Sequence, residues 1–257
     1  MDFNLKNKQA LVCGGSKGIG GAIAKALAEE GVKVIIVSRN EQELKEHLGT
    51  LSGEGHSYIQ ADLLDKSDLD KLLFHLKENP VEIVINNTGG PAPGPITEST
   101  IESFQAALDM HLFASHRIMQ TVLPYMKSKN YGRFINVIST SVKIPILGLG
   151  VSNTTRGAMA SWAKTLSNEV APYGITVNNI LPGAVSTTRL DAIIENSAKK
   201  KGVTPEESAE AMKQTIPAGR FGLPVELGNL AAFLASDKAA YITGVSIPVD
   251  GGRTGSL

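Results

Sequence analysis

The chain has 257 residues, 42% of them hydrophobic and 19% charged, enough for one large domain with a core of its own. Its 25 Lys and Arg balance 25 Asp and Glu, so no basic excess points to nucleic acid and no charge run to a membrane surface. No apolar stretch is long enough to span a bilayer, residues Met1 to Gln9 lack the pattern of a signal peptide, and the single Cys13 excludes an internal disulfide or a cysteine metal cluster; a cytosolic protein without a metal is expected.

A first strand is predicted over Ala10–Cys13, and Gly14-Gly15-Ser16-Lys17-Gly18-Ile19-Gly20 leads from it into a helix over Gly20–Glu29. Glycines at such a turn let the backbone approach a pyrophosphate seated on the helix N-terminus. The spacing is GxxxGxG, without the Lys-Ser/Thr ending of a P-loop. A tight turn with no ligand is the alternative.

The second strand, Val32–Val37, ends in Ser38-Arg39-Asn40, where an NAD site usually offers a carboxylate to the ribose. A small hydroxyl followed by a guanidinium suits a 2′-phosphate instead, and Lys17 adds a second positive charge, so the cofactor expected is NADP(H). Singly, Arg39 and Lys17 also read as solvated surface residues. Asn40 and Glu43 form a plausible capping pair for a helix over Gln42–Leu48.

Further strands are predicted over Tyr58–Ala61, Ile83–Asn86, Phe134–Ser139, Thr176–Leu181 and Val245–Val249. Helices are predicted over Lys66–Lys77, Ile101–Lys127, Arg156–Ala171 and Pro224–Ala235. Most strands are continuous apolar runs, as in sheets covered on both faces. The alternation predicts one α/β domain over 1–257, a Rossmann-type doubly wound parallel sheet of about seven strands flanked by helices, with ligands at the carboxyl ends of the strands. The polar stretch 187–220, with Lys199–Lys201 and Pro205, reads as a helical excursion over the substrate site; a solvated surface hairpin is the alternative.

The segments at those carboxyl ends form a series: the glycine-rich turn, Asp62-Leu63, Asn86-Asn87-Thr88-Gly89, Asn136-Val137-Ile138-Ser139 and Pro182-Gly183-Ala184-Val185-Ser186-Thr187, closed by Val249-Asp250-Gly251-Gly252. In order and spacing the series resembles the short-chain dehydrogenase/reductase family over nearly the whole chain, and is most similar to 3-oxoacyl-[acyl-carrier-protein] reductases. The resemblance implies cofactor contacts at Gly14, Ser16, Lys17, Gly18, Ile19, Gly20, Ser38, Arg39, Asp62, Leu63, Asn87, Thr88, Gly89, Arg156, Pro182, Gly183, Val185 and Thr187. It implies a small-molecule or acyl-carrier-linked carbonyl substrate. It also implies a homotetramer built on the two long helices and the last strand, the second helix carrying Met159, Trp162 and Leu166 on spaced apolar positions, a stripe that also reads simply as core.

The family's active site pairs a Ser with Tyr-x-x-x-Lys and an Asn on the preceding long helix. Here the serine position is Ser139, the tyrosine position Ser152, the lysine position Arg156 and the asparagine position His111. A serine hydroxyl is a far weaker acid than a phenol and stops short of where the phenol oxygen would lie. Arginine keeps the charge but cannot deprotonate near neutral pH. His111 is the one member of the set whose ordinary pKa suits proton exchange at neutral pH, yet it lies on an apolar stripe with Phe104, Leu108, Ser115 and Ile118 and reads equally as a core histidine. Lys143, Thr140 and Ser141 read as loop residues. Two functions are therefore expected to compete: an NADPH-dependent carbonyl reductase with a non-standard site, and an NADP(H)-binding sensor or partner subunit without redox chemistry.

Overall fold

A computed structural model of the protein describes residues 2–256. Seven parallel strands form one sheet: β1 (Gln9–Cys13), β2 (Lys33–Ser38), β3 (Ser57–Gln60), β4 (Ile83–Asn86), β5 (Gly132–Val137), β6 (Ile175–Pro182) and β7 (Ser246–Val249). Their order is β3-β2-β1-β4-β5-β6-β7, the doubly wound arrangement predicted, with the order of strands reversing between β1 and β4.

The continuous apolar runs are explained by two cores, one on each face. Along β1, Ala10 and Val12 enter one core, while Leu11 and Cys13 enter the other; β2 divides Val34 and Ile36 from Ile35 and Val37 in the same way. A strand buried on both faces needs apolar residues at every position. On one face the sheet is covered by α1 (Gly18–Glu29) and α2 (Glu41–Leu48), and by α9 (Pro224–Ala235). On the other lie α3 (Lys66–Glu78), α5 (Ala114–Lys129) and α6 (Gly150–Val170). Leu69, Leu72, Leu73 and Leu76 of α3 are all buried there, each contributing about 1.5–3 kcal/mol by leaving water. Among the described residues no helix is long and apolar enough to cross a membrane.

Two elements depart from expectation, while the stretch 187–220 keeps the helical form read from the sequence. The helix predicted over Ile101–Lys127 is divided into α4 (Ile101–Leu108) and α5 by a π-turn, Asp109–Phe113, with His111 at its centre. The Ser115 hydroxyl donates to the His111 carbonyl at 2.7 Å, satisfying a backbone acceptor at that irregular turn. Next, α6 starts at Gly150, six residues before the predicted start, so Ser152 lies on the helix. Its Thr154 and Thr155 are weak helix formers, but their hydroxyls donate to the Gly150 and Val151 carbonyls at 3.0 Å and so do not compete with the helix. The stretch 187–220 contains α7 (Thr188–Lys201) and α8 (Pro205–Lys213), the latter opened by a Thr204/Glu207 capping box. Leu190, Ile194 and Ala198 of α7 are buried, so the excursion is a packed helical layer and not a solvated hairpin.

The apolar stripe assigned to assembly belongs to the chain's own interior. Met159 and Leu166 are buried, and Trp162 is half-buried with its ring N–H donating to His116 Nδ1 at 3.2 Å.

The strands that lead to the site are cross-linked by buried side chains. Asn86 donates to Asn136 Oδ1 at 2.8 Å, Asn136 to Asn179 Oδ1 at 2.9 Å, and Asn179 to Ser246 Oγ at 3.0 Å. These residues are register partners, so the polar ladder crosses β4, β5, β6 and β7 in a single row. Replacing Asn136, which is fully buried, orphans a donor on one side and an acceptor on the other. Asn136→Ala should therefore cost on the order of 3 kcal/mol in a chemical denaturation experiment, well beyond what a small cavity alone would cost.

Candidate active site

The glycine turn is built as a cradle. Gly14 and Gly18 adopt φ of +62° and +57°, the left-handed region that favours glycine. A Cβ on Gly20 would lie 2.1 Å from the Gly14 carbonyl oxygen and 2.5 Å from Asn87 Nδ2, so the helix start and the turn touch through bare backbone. Asn87 holds that turn by donating to the Cys13 and Gly14 carbonyls, both at 3.3 Å. From the other side Thr187 approaches; its methyl would lie 3.6 Å from a Cβ on Gly18. Thr187 also caps α7, its hydroxyl accepting from the Leu190 N–H. Gly183 in the Pro182-Gly183 turn packs against Asp250, where a Cβ would meet the Asp250 backbone at 2.7 Å. Val185 is buried and bridges Gly222. Ile19 packs against one core and Leu63 against the other. These residues fit a dinucleotide: close backbone, free N–H groups at the start of α1, and no side chain filling the space. The Cys13 thiol beneath the turn is fully buried, and burial pushes its pKa up to about 12, which leaves it inert.

At the end of β2, Ser38 is half-buried, and Arg39 is exposed with its guanidinium in no ion pair among the described residues. Lys17 is different from the free cation expected. Its ammonium sits 2.6 Å from Glu43, which also accepts from the Ser16 hydroxyl at 3.2 Å, and this holds the Glu43 carboxyl below its usual range. Asn40 caps α2 as predicted, accepting from Gln42 and Glu43 N–H, but the Glu43 side chain turns across to Lys17 instead of returning to Asn40. The pair is exposed, so it contributes about 0–1 kcal/mol and yields readily to a stronger anion. Asp62 is engaged locally, accepting from Leu64 N–H at 3.0 Å.

The remaining residues gather where β4, β5 and α6 meet. Arg156 is buried, and its guanidinium donates to the Val137 carbonyl at 3.2 Å and the Thr88 carbonyl at 3.3 Å. No carboxylate pairs with it among the described residues. Burial first, and then the charge of Arg189, lower its pKa to about 10, so it remains a cation at neutral pH. The Thr88 hydroxyl meets His111 Nδ1, and His111 Nε2 is buried without a partner. Ser139 ends the β5 segment; its Oγ accepts from Ser141 N–H at 3.0 Å, which leaves its own proton free to donate. Ser152 lies one turn before Arg156 on the same face of α6, half-buried, its hydroxyl unpaired. Gly89 has open space around it. Lys143 is exposed on the following loop.

The structure corrects the expectation that His111 exchanges protons at neutral pH. Burial, followed by the charges of Arg156 and Arg189, lowers its pKa from 6.5 to about 3. The imidazole is neutral throughout the physiological range and serves as a hydrogen-bonding group. Arg189, at the start of α7, is the residue that sequence reasoning missed. Its guanidinium reaches the Gly90 carbonyl at 3.4 Å. The available signal was a cation in the first turn of a helix, where the dipole disfavours it.

The match to known proteins covers the whole architecture. A family model described as enoyl-(acyl carrier protein) reductase matches residues 14–254. The NADPH-dependent reductase BacG of Bacillus subtilis is 31% identical over 98% of this chain and 100% of its own. The 3-oxoacyl-[acyl-carrier-protein] reductase FabG of Rickettsia felis is 33% identical over 97% of this chain and 98% of its own. The structure of L-sorbose reductase from Gluconobacter frateurii complexed with NADPH and L-sorbose superposes with a TM-score of 0.94, at 28% identity, covering all of both chains.

A neutral buried His111 makes a direct prediction about acid stability. The unfolded chain takes up the imidazole proton near pH 6.5, whereas the folded chain resists until about 3. Stability from this site is present above pH 6.5 and is lost as pH falls through that window, at up to about 1.4 kcal/mol per pH unit. In melting curves between about pH 6.5 and pH 5, above the range of ordinary carboxylates, His111→Asn should flatten the acid slope; equal slopes in both proteins would show that the imidazole is charged when folded.

The glycine cradle, the doubly wound sheet and the full-length similarity lead to one conclusion: the chain belongs to the short-chain dehydrogenase/reductase family of NAD(P)-dependent oxidoreductases.

Proposed function

We propose that the protein is an NADPH-dependent carbonyl reductase, acting on a 3-oxoacyl thioester or a similar ketone, in which a cluster of donors replaces the phenol–lysine pair. The observation that carries this reading is His111 Nε2, buried and unpartnered beside the buried cation of Arg156. NADPH, when bound, supplies the hydride. The chain's own residues prepare the acceptor. If Thr88 O–H donates to Nδ1, the imidazole proton resides on Nε2, a donor with no partner of its own among the described residues. The Ser139 hydroxyl and the Arg156 charge act on the carbonyl oxygen, and fixed donors of this kind stabilise a developing oxyanion without reorganising. Water beside the unpaired Ser152 hydroxyl delivers the proton. No side chain here is a base able to take a proton from an alcohol at neutral pH, which favours reduction over oxidation. The free Arg39 and the absence of a carboxylate at the end of β2 support the choice of NADPH over NADH.

We also propose a homotetramer. Its support is no longer the stripe on α6, which is interior. It is the exposed apolar side chains of Tyr241 and Val245 beside the edge strand β7, and of Ile101 and Phe113 along the α4–α5 unit.

The kinetic test is NADPH consumption with a panel of ketones and 3-oxoacyl thioesters. Turnover should be slow, because a missing general acid typically forfeits about 10²–10⁴-fold, and Ser139→Ala should remove a further ~10²-fold. Ser38→Asp with Arg39→Leu should invert a preference for NADPH that is about ten-fold or more, the equivalent of one charge-assisted hydrogen bond. Tight NADPH binding with no substrate in the panel reduced would instead favour the redox-silent sensor. For assembly, sedimentation at micromolar concentration should show a single species of four chains; a monomer would refute the tetramer.

A further inference from the structure

Two guanidiniums converge on one short loop. Arg156 donates to the Thr88 carbonyl and Arg189 to the Gly90 carbonyl, two residues apart. The side chain of Thr88 contacts His111, whose Nε2 has no partner. Neither arginine has a carboxylate within salt-bridge distance among the described residues, although seven such pairs form elsewhere among them. Holding two uncompensated cations this close is unfavourable, and each adds to the field that keeps His111 neutral.

Arg189 also occupies a position that local structure disfavours. It is the second residue of α7, where unpaired N–H groups already concentrate positive charge. Helix stability would place an acidic residue there. The opposite choice, an exposed arginine whose guanidinium reaches the Gly90 carbonyl, is what an anionic ligand at this loop requires.

The dinucleotide has its own place for a pyrophosphate, at the Gly14–Gly20 turn with Thr187 across from it. Arg189, two residues beyond Thr187, reaches Gly90 instead, and its charge acts on His111. The positive charge is thus concentrated at the reacting end.

We propose that Arg189, backed by Arg156, receives a carboxylate on the substrate itself, so that the carbonyl compound reduced is an oxo acid. The inference rests on the reductase reading and narrows its substrate class. The acid's carboxylate lies in the Arg189 fork, and the ketone oxygen then faces His111 Nε2 and Ser139. A neutral ester or thioester leaves the fork unpaired.

The test uses 2-oxohexanoate and 3-oxohexanoate against their methyl esters, with NADPH. The acids should be reduced with the higher kcat/KM. Arg189→Met should lower kcat/KM for the acids by about 10–100-fold, chiefly through KM, which is the loss of one charge-assisted ion pair. It should leave the esters little changed and the Kd of NADPH unaltered. A fall in NADPH affinity, with acids and esters losing activity alike, would assign Arg189 to the cofactor and overturn the proposal. Binding separates this inference from the reading beneath it: calorimetry of hexanoate and hexanamide on the NADP⁺ complex needs no turnover. Hexanoate binding that Arg189→Met abolishes supports the anion site even if no ketone is reduced, and equal binding of acid and amide overturns it.

Discussion

The Arg156 guanidinium is the constraint around which the site is arranged. It is a buried cation with no carboxylate, suspended from the carbonyls of Val137 and Thr88. Those two carbonyls lie beyond the middle of β5 and just past the end of β4, so one side chain of α6 joins both strand ends. A lysine offers a compact ammonium that can approach one oxygen closely, whereas the planar fork of arginine spans two. Its charge then acts on its neighbours. It helps hold His111 neutral, and, because Arg156 keeps its proton at neutral pH, it polarises groups in the site without exchanging protons with them.

That arrangement needs the strand ends to be fixed, and the asparagine ladder does this. Three amides and a serine hydroxyl link β4 to β7 side by side, one step before the segments that carry Thr88, Ser139 and the Pro182-Gly183 turn. Polar groups are costly in a core unless they find partners, and the register of the strands supplies them along the ladder, leaving only the Asn86 Oδ1 at its end without one among the described residues. On the other side of the reversal in strand order, Asn87 ties the glycine turn to β4. The cradle and the donor cluster therefore share one support, the end of β4.

The distribution of charge separates two functions that sequence numbering mixes together. Arg39 is exposed at the rim and in no ion pair among the described residues. Lys17 beside it is matched by Glu43, a pair that exposure keeps weak. Arg156 and Arg189 are gathered at the far end on the Thr88–Gly90 loop, without acidic neighbours. An anion entering there would meet the exposed guanidinium of Arg189 first, with the buried charge of Arg156 behind it.

The sequence by itself determined the sheet, because strands buried on both faces must be apolar throughout and their turns must be glycine-rich. The five inner strands were legible for this reason, as was the Gly14–Gly20 turn; the positions Ser139, Ser152, Arg156 and His111 were reached only through the family resemblance. Spacing along one chain, however, carries no information about dielectric or about approach from a distant segment. Only the tertiary structure decided that burial and two arginines make His111 neutral, that Glu43 occupies Lys17, and that Met159 and Leu166 are interior. The π-turn at His111 was equally hidden, since one extra residue in a helical turn leaves the apolar periodicity nearly intact. Arg189 reached the site only because α7 folds back over the Thr88–Gly90 loop, a contact between residues 99 positions apart that no local pattern encodes.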